Sequence, residues 1–215
     1  MSHTTHLLYL HGFRSSPQSV KARKMAMWMA QEFPHVRWWC PPLPASPRQA
    51  MAELLTGVAD WPAGHIAVVG SSLGGFYASW LSQHLGCPAV LINPAVHPSR
   101  DLATYIGEQT AWHDPTQSIF FDAAYIQELQ ALESQAPNPR PQTLALIAKG
   151  DEVLDWREML ARHQAGRVHL IEGSDHALSD FDLYKAEILN FFALPEPRYP
   201  ERWAGMGKSG HVRII

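Results

Sequence analysis

The chain reads as an α/β protein built on a parallel sheet with helices on both faces. Three observations predict it. Apolar strand-like runs alternate with amphipathic helical stretches along most of the 215 residues, and such alternation calls for crossovers that lay helices over a parallel sheet. Hydrophobic residues make up 46% of the chain and charged residues only 17%, a balance that supports one packed core and argues against disorder. In Gly70-Ser71-Ser72-Leu73-Gly74 a glycine-flanked serine stands directly between an apolar run and a helical pattern, as at the corner where a strand turns into a helix.

The strand candidates, in order, are His6–Leu10, Val36–Trp39, His65–Val69, Ala89–Ile92, Thr143–Ala148 and Arg167–Ile171. After the first, Ser16-Pro17 pairs an N-cap serine with proline at the first helical position. Ser46-Pro47 repeats the arrangement after the second, with Gln49 at capping-box spacing. The third strand leads through the serine turn into the helical pattern Gly75–Leu81. About fifty residues then separate the fourth and fifth strands, too many for a plain crossover. Within them Phe121, Ala124, Tyr125, Glu128, Leu129 and Leu132 predict a helix, and Trp112 and His113 fall in a loop. This helical insertion over 95–140 is either a cap that walls a pocket or a helix pair that covers the sheet. Ser179-x-x-Asp182 predicts the start of the last helix, where Phe181, Tyr184, Ile188 and Phe192 recur at helical spacing. The expected organisation is one domain over 1–194 and an appended tail over 195–215 that begins with Pro195, Pro197 and Pro200.

Charge and composition exclude several function classes. A net charge of −3 offers no basic footprint for nucleic acid and no polybasic surface for a membrane. No apolar run approaches the roughly 20 residues that span a bilayer. Leu7-Leu8-Tyr9-Leu10 is too short for a signal peptide and lacks a basic segment before it. Cys40 and Cys87 lie far apart without metal-ligand spacing and read as ordinary buried thiols, and no histidine pair has helical ligand spacing. The expectation is a cytoplasmic protein that needs no cofactor and no metal.

The chemistry concentrates on Ser72. A strand that turns abruptly into a helix forces its corner residue into strain, and flanking glycines remove the side chains that would clash. The serine Oγ is then exposed above the sheet edge, beside the Leu73 amide at a helix N-terminus. A serine alone is a poor nucleophile; it needs a base, and the base needs an orienting acid. Asp151 follows the fifth strand in Lys149-Gly150-Asp151, and His176 follows the sixth in Gly173-Ser174-Asp175-His176. Both fall at the C-terminal ends of strands, where open α/β sheets gather their active sites. Asp155 is the rival acid, but it precedes a helical pattern with Glu158 three residues on, so its carboxylate is expected to cap that helix. Asp175, adjacent to His176, cannot readily turn its carboxylate to that ring. In His11-Gly12-Phe13, after the first strand, the Phe13 amide can pair with that of Leu73 as an oxyanion hole, while His11 shapes the turn. Arg14 either meets an anionic substrate group or forms a surface ion pair, and Trp112 is a candidate wall of an acyl pocket. Ser71 reads as a structural hydroxyl.

These motifs together resemble an α/β-hydrolase, and specifically the YqiA-type small bacterial esterase family. The resemblance rests on Tyr9-Leu10-His11-Gly12-Phe13-Arg14-Ser15-Ser16-Pro17, Gly70-Ser71-Ser72-Leu73-Gly74-Gly75-Phe76-Tyr77-Ala78, Asn93-Pro94-Ala95-Val96, Gly150-Asp151-Glu152-Val153-Leu154-Asp155 and His176-Ala177, and spans about Leu7 to Leu194. It implies an α/β-hydrolase fold with six mostly parallel strands, a triad of Ser72, Asp151 and His176, and activity on short acyl esters or thioesters. The expected function is that of a serine esterase on a small-molecule ester. A thioesterase or small peptidase would use the same residues, and a binding module on an inactive hydrolase fold is the alternative of another class.

Overall fold

The computed structural model describes residues 3–112, 116, 118–135, 142–192 and 194. The tail over 195–215 and His113 lie outside them. In chain order the strands are β1 (His6–Leu10), β2 (Arg37–Trp39), β3 (Ile66–Ser71), β4 (Ala89–Ile92), β5 (Gly107–Thr110), β6 (Ser118–Phe121), β7 (Thr143–Ala148) and β8 (Arg167–Ile171). Six of them form one sheet in the order β2-β1-β3-β4-β7-β8, and every neighbouring pair is parallel.

The sheet is covered on both sides, which is why its central strands read as unbroken apolar runs. Alternate side chains point to opposite faces. Leu8, Leu10, Val68, Leu91, Ala145 and Ile147 pack under α2 (Pro47–Val58), α3 (Leu73–Leu85) and α6 (Trp156–His163). Their neighbours Leu7, Tyr9, Val69, Val90, Ile92 and Leu146 pack under α1 (Val20–Glu32) and α7 (Lys185–Phe191). From β1 the chain first goes outward to β2, then crosses back to β3 and continues the other way. The C-terminal ends of β1 and β3 therefore flank the point where strand order reverses, where open sheets bind ligands. Among the described residues no helix is long and apolar enough to cross a membrane.

The insertion differs from the expected helical one. After α4 (Pro98–Asp101) and a 3-10 turn over Ala103–Tyr105, β5 and β6 pair antiparallel, with Gly107 opposite Phe121 and Thr110 opposite Ser118. Only then does α5 (Ala124–Gln135) begin. Phe121 thus closes a strand rather than opening a helix, in keeping with the aromatic, alternating pattern of Ser118-Ile119-Phe120-Phe121.

Capping also shifts in two places. The cap of α1 is Ser19, whose Oγ accepts from the Ala22 amide at 3.4 Å, while Ser16 Oγ closes a turn with the Gln18 amide. Successive turns, Ser15 N to Gly12 O and Ser19 N to Ser16 O, carry the chain past Ser16-Pro17 before helix can start. Ser179 does not open a helix either: its amide and hydroxyl bond Asp175, and a 3-10 turn over Phe181–Tyr184 precedes α7. Ser46 does cap α2, accepting from the Gln49 amide at 3.1 Å. Gln49 bonds Glu53 rather than turning back, since Glu128 of α5 already takes the Ser46 hydroxyl at 2.6 Å and the Arg48 amide at 3.1 Å.

Candidate active site

Ser72 sits between β3 and α3 with φ 57 and ψ −122, a left-handed backbone that costs a non-glycine residue roughly 1–3 kcal/mol. Its surroundings hold it there. The Ser72 amide donates to Ile92 O at 2.9 Å, and its carbonyl accepts from Gly75, Phe76 and Ala95 amides at 2.8, 3.2 and 3.1 Å. Two glycines let main chain approach main chain. A Cβ on Gly74 would lie 2.2 Å from Leu10 O, and one on Gly12 would lie 3.2 Å from Ser72 Cβ.

Three strand ends meet at this turn. His176 Nε2 lies 3.0 Å from Ser72 Oγ, and His176 Nδ1 lies 2.8 Å from Asp151 Oδ2. The Asp151 side chain is fully buried. Its other oxygen, Oδ1, accepts from the Val153 and Leu154 amides, each at 2.8 Å, which fixes the carboxylate's orientation. A carboxylate only accepts when ionised, so Nδ1 carries the imidazole proton and donates to Asp151, leaving Nε2 free to accept from the Ser72 hydroxyl. The loop carrying His176 is pinned by its own amide, which donates to Glu152 Oε2 at 3.0 Å.

The rival acids are engaged elsewhere. Asp155 caps α6, accepting from the Arg157 amide at 2.9 Å. Glu158 does not complete a capping box; it takes a bidentate pair from Arg100 at 2.8 and 2.7 Å, and that guanidinium holds its carboxyl below the usual range. Asp175 is held low in the same way by the Ser179 hydroxyl and amide, at 2.6 and 2.9 Å.

Beside Ser72, the chain turns through His11, Gly12 and Phe13. His11 Nε2 accepts from the Leu43 amide at 3.1 Å and Nδ1 lies 3.0 Å from Gly12 O, which makes Nδ1 the donor and the ring a brace for the turn. No protein acceptor among the described residues takes the Phe13 amide or that of Leu73, the first residue of α3. A cavity of about 630 Å³ opens over these groups, walled by Phe13, Leu102, Tyr105 and Trp112 and by Val153 and Leu154. Arg14 and Trp112 meet at its rim: the guanidinium carbon lies 4.3 Å from the indole centroid, and Arg14 Nε donates to Thr110 O. The surface ion pair considered for Arg14 is not formed among the described residues; its guanidinium group is engaged by the Trp112 ring and the Thr110 carbonyl instead.

Two residues to which the sequence assigned no role also build the site. Asn93, fully buried at the end of β4 with φ 41, donates to the carbonyls of Asp175 and His176 at 3.0 and 3.1 Å and accepts from the Ala148 amide at 2.8 Å. It ties the His176 loop to the strand that leads to Asp151. The sequence marks it as a polar residue ending an apolar run before proline, at the head of Asn93-Pro94-Ala95-Val96, without showing what it holds. Lys21, in the first turn of α1, lines the same cavity and donates to Ala177 O; nothing in the sequence separates it from a solvated lysine.

Solved structures share this fold at low identity. A hydrolase-like protein from Agrobacterium vitis S4 is 19% identical, with a TM-score of 0.70 over 88% of this chain and 90% of its own. A structure from the work on LipS and LipT, two metagenome-derived lipolytic enzymes, is 17% identical, with a TM-score of 0.67 over 89% and 94%. Est1E from Butyrivibrio proteoclasticus with ferulic acid bound is 14% identical, with a TM-score of 0.64 over 89% and 90%. The fold is that of the α/β-hydrolase superfamily, and with residues 6–193 matched the chain belongs to the uncharacterised protein family UPF0227.

Proposed function

We propose that this protein is a serine esterase that cleaves small carboxylic esters through an acyl-enzyme. The observation that carries the reading is the hydrogen-bonded series Asp151–His176–Ser72, at 2.8 and 3.0 Å, where the strand order reverses. As Ser72 Oγ attacks the ester carbonyl carbon, His176 Nε2 takes its proton, and buried Asp151 holds the ring and stabilises the imidazolium. The carbonyl oxygen becomes an anion that the Phe13 and Leu73 amides receive; losing one such donor typically costs about 3–4 kcal/mol of barrier. Collapse breaks the ester C–O bond, and His176 returns the proton to the leaving alkoxide. Water, deprotonated by His176, then attacks the acyl carbon, and the carboxylic acid leaves as Ser72 regains its proton.

A fluorophosphonate probe, followed by peptide mapping, tests the reading together with turnover of p-nitrophenyl butyrate. Labelling is expected at Ser72, lost in Ser72→Ala along with hydrolysis, while Ser71→Ala keeps most of both. Equal losses in two folded variants, or no labelling at all, would overturn it.

A further inference from the structure

We infer that Lys21, with the Tyr9 and Ser19 hydroxyls, forms a subsite for a carboxylate carried by the ester substrate. The inference rests on the esterase reading and names the class of ester. All three residues line the cavity that opens over Ser72. Lys21 Nζ bonds the carbonyl of Ala177, next to His176, which leaves two of its three N–H groups uncommitted among the described residues. Among the described residues no carboxylate lies within ion-pair distance of it. The acids that act on it from further away are Asp175 and Asp151, and both are spoken for, the first by Ser179 and the second by His176 and two amides.

A half-buried ammonium without a bonded anion is costly, and burial pushes Lys21 down to about 8. Beside it on the cavity wall stands a second uncommitted group. Tyr9 is fully buried, and its hydroxyl approaches Ser19 without completing a hydrogen bond to any atom of the described residues. Ser19 caps α1, a helix of 13 residues, through a long 3.4 Å contact, so the positive end of that helix faces the same place. Ammonium, phenol and helix terminus together suit an anion. A carboxylate fits better than a phosphate, because Asp175 and Asp151 nearby disfavour a second negative charge.

Two matched pairs of esters test this. p-Nitrophenyl butyrate and p-nitrophenyl hydrogen glutarate differ by a carboxylate on the acyl half; phenyl acetate and 3-acetoxybenzoate differ by one on the alcohol half. In Lys21→Met the kcat/KM ratio of charged to neutral ester is expected to fall about ten-fold in one pair, mainly through KM. Lys21→Arg should keep most of the preference, and Tyr9→Phe should lose a smaller part of it. The pair that responds tells which half carries the charge. Free glutarate should raise the Tm of the wild type more than that of Lys21→Met, a readout that needs no turnover. Equal losses on charged and neutral esters would mean that Lys21 only holds the His176 loop, and unchanged ratios would mean that it does neither; each overturns the subsite. Failure of the esterase reading looks different: no ester is turned over and Ser72 takes no fluorophosphonate.

Discussion

At the Ser72 turn, main chain is packed on main chain. Gly74 lies against the Leu10 carbonyl, Gly12 against Ser72, and four backbone hydrogen bonds clamp the serine's own peptide groups. Across the cavity, in the insertion, side chains make contacts beside a backbone bond from the Trp112 amide to Arg14 O. The Phe13 ring meets Tyr105 and Phe121 edge-on at 5.6 and 5.1 Å, and Arg14 reaches Thr110 and Trp112. Large apolar groups stay in solvent there: Trp112 is 72% exposed and Phe120 60%. Packing of backbone on backbone leaves no room for another side chain, so the turn has one working arrangement. Contacts between exposed side chains can be exchanged for others at small cost. Changes at the first region should therefore act on the rate by orders of magnitude, and changes at the second should adjust which ester is taken.

The largest expected effect separates two aspartates four residues apart. Asp151→Asn keeps the shape of the buried side chain but puts an amide where Nδ1–H needs an acceptor, which disfavours the tautomer that activates Ser72. The kcat should fall by roughly 10⁴. Asp155→Ala removes the cap of α6 and an exposed 3.5 Å ion pair with Arg157, at a cost of about 1 kcal/mol in stability, with kcat within a few-fold. Steady-state kinetics and urea unfolding on both variants check this pair. An inactive Asp155→Ala beside an active Asp151→Asn would reverse the roles and dissolve the contrast.

A smaller effect probes the seam between the two regions. His163, the last residue of α6, is 2% exposed, and among the described residues nothing bonds its Nδ1. It lines a second cavity, of about 390 Å³, where α3 (Phe76, Trp80) faces α5 (Gln130, Glu133). Burial, with Arg162 adding to it, pushes the imidazole down to about 4. The unfolded chain binds this proton near 6.5 and the folded one only near 4, so the contribution to stability is complete above 6.5. It is lost as pH falls from 6.5 toward 4, and is worth roughly 3 kcal/mol. Urea midpoints at pH 7 and pH 4.5 should converge in His163→Leu relative to wild type. An equal acid loss in both proteins would assign the slope to the carboxylates held low elsewhere, such as Glu128 and Glu158.

The two regions also differ in how far the sequence reveals them. β1, β4 and β7 run over the residues their apolar patterns mark, because burial on both faces leaves a continuous apolar signature; β8, at the sheet edge and only partly buried, also keeps its expected bounds. β5 is Gly-Glu-Gln-Thr, half in solvent; only its pairing with β6 makes it a strand, and pairing partners are not written in a local window. Ser16 and Ser19 are equally good caps locally, and the path of the preceding turns decides between them. In the candidate site the same division holds. Ser72, Asp151 and His176 stand at strand ends within marked motifs, and the structure brings them together. Asn93 and Lys21 act through groups 82 and 156 residues away in the chain, a distance that no spacing rule covers.

The mildest change tests the insertion directly. Trp112 lines the cavity, its amide donates to Arg14 O at 2.9 Å, and its ring lies under the Arg14 guanidinium. In Trp112→Ala the backbone bond stays and the ring goes. An exposed cation–π contact is worth about 0.5–1 kcal/mol, so the Tm should fall by no more than about 3 °C. The lost wall matters more to an acyl chain. Each methylene that packs on apolar surface gains about 0.8 kcal/mol, close to four-fold in kcat/KM, so removing the indole should flatten the dependence on chain length by several-fold between p-nitrophenyl acetate and octanoate. If the chain-length profile keeps its slope while the Tm drops by more than that, the ring serves packing alone. The insertion would then be a cover for the sheet, and the division between a fixed turn and an adjustable wall would fail at this residue.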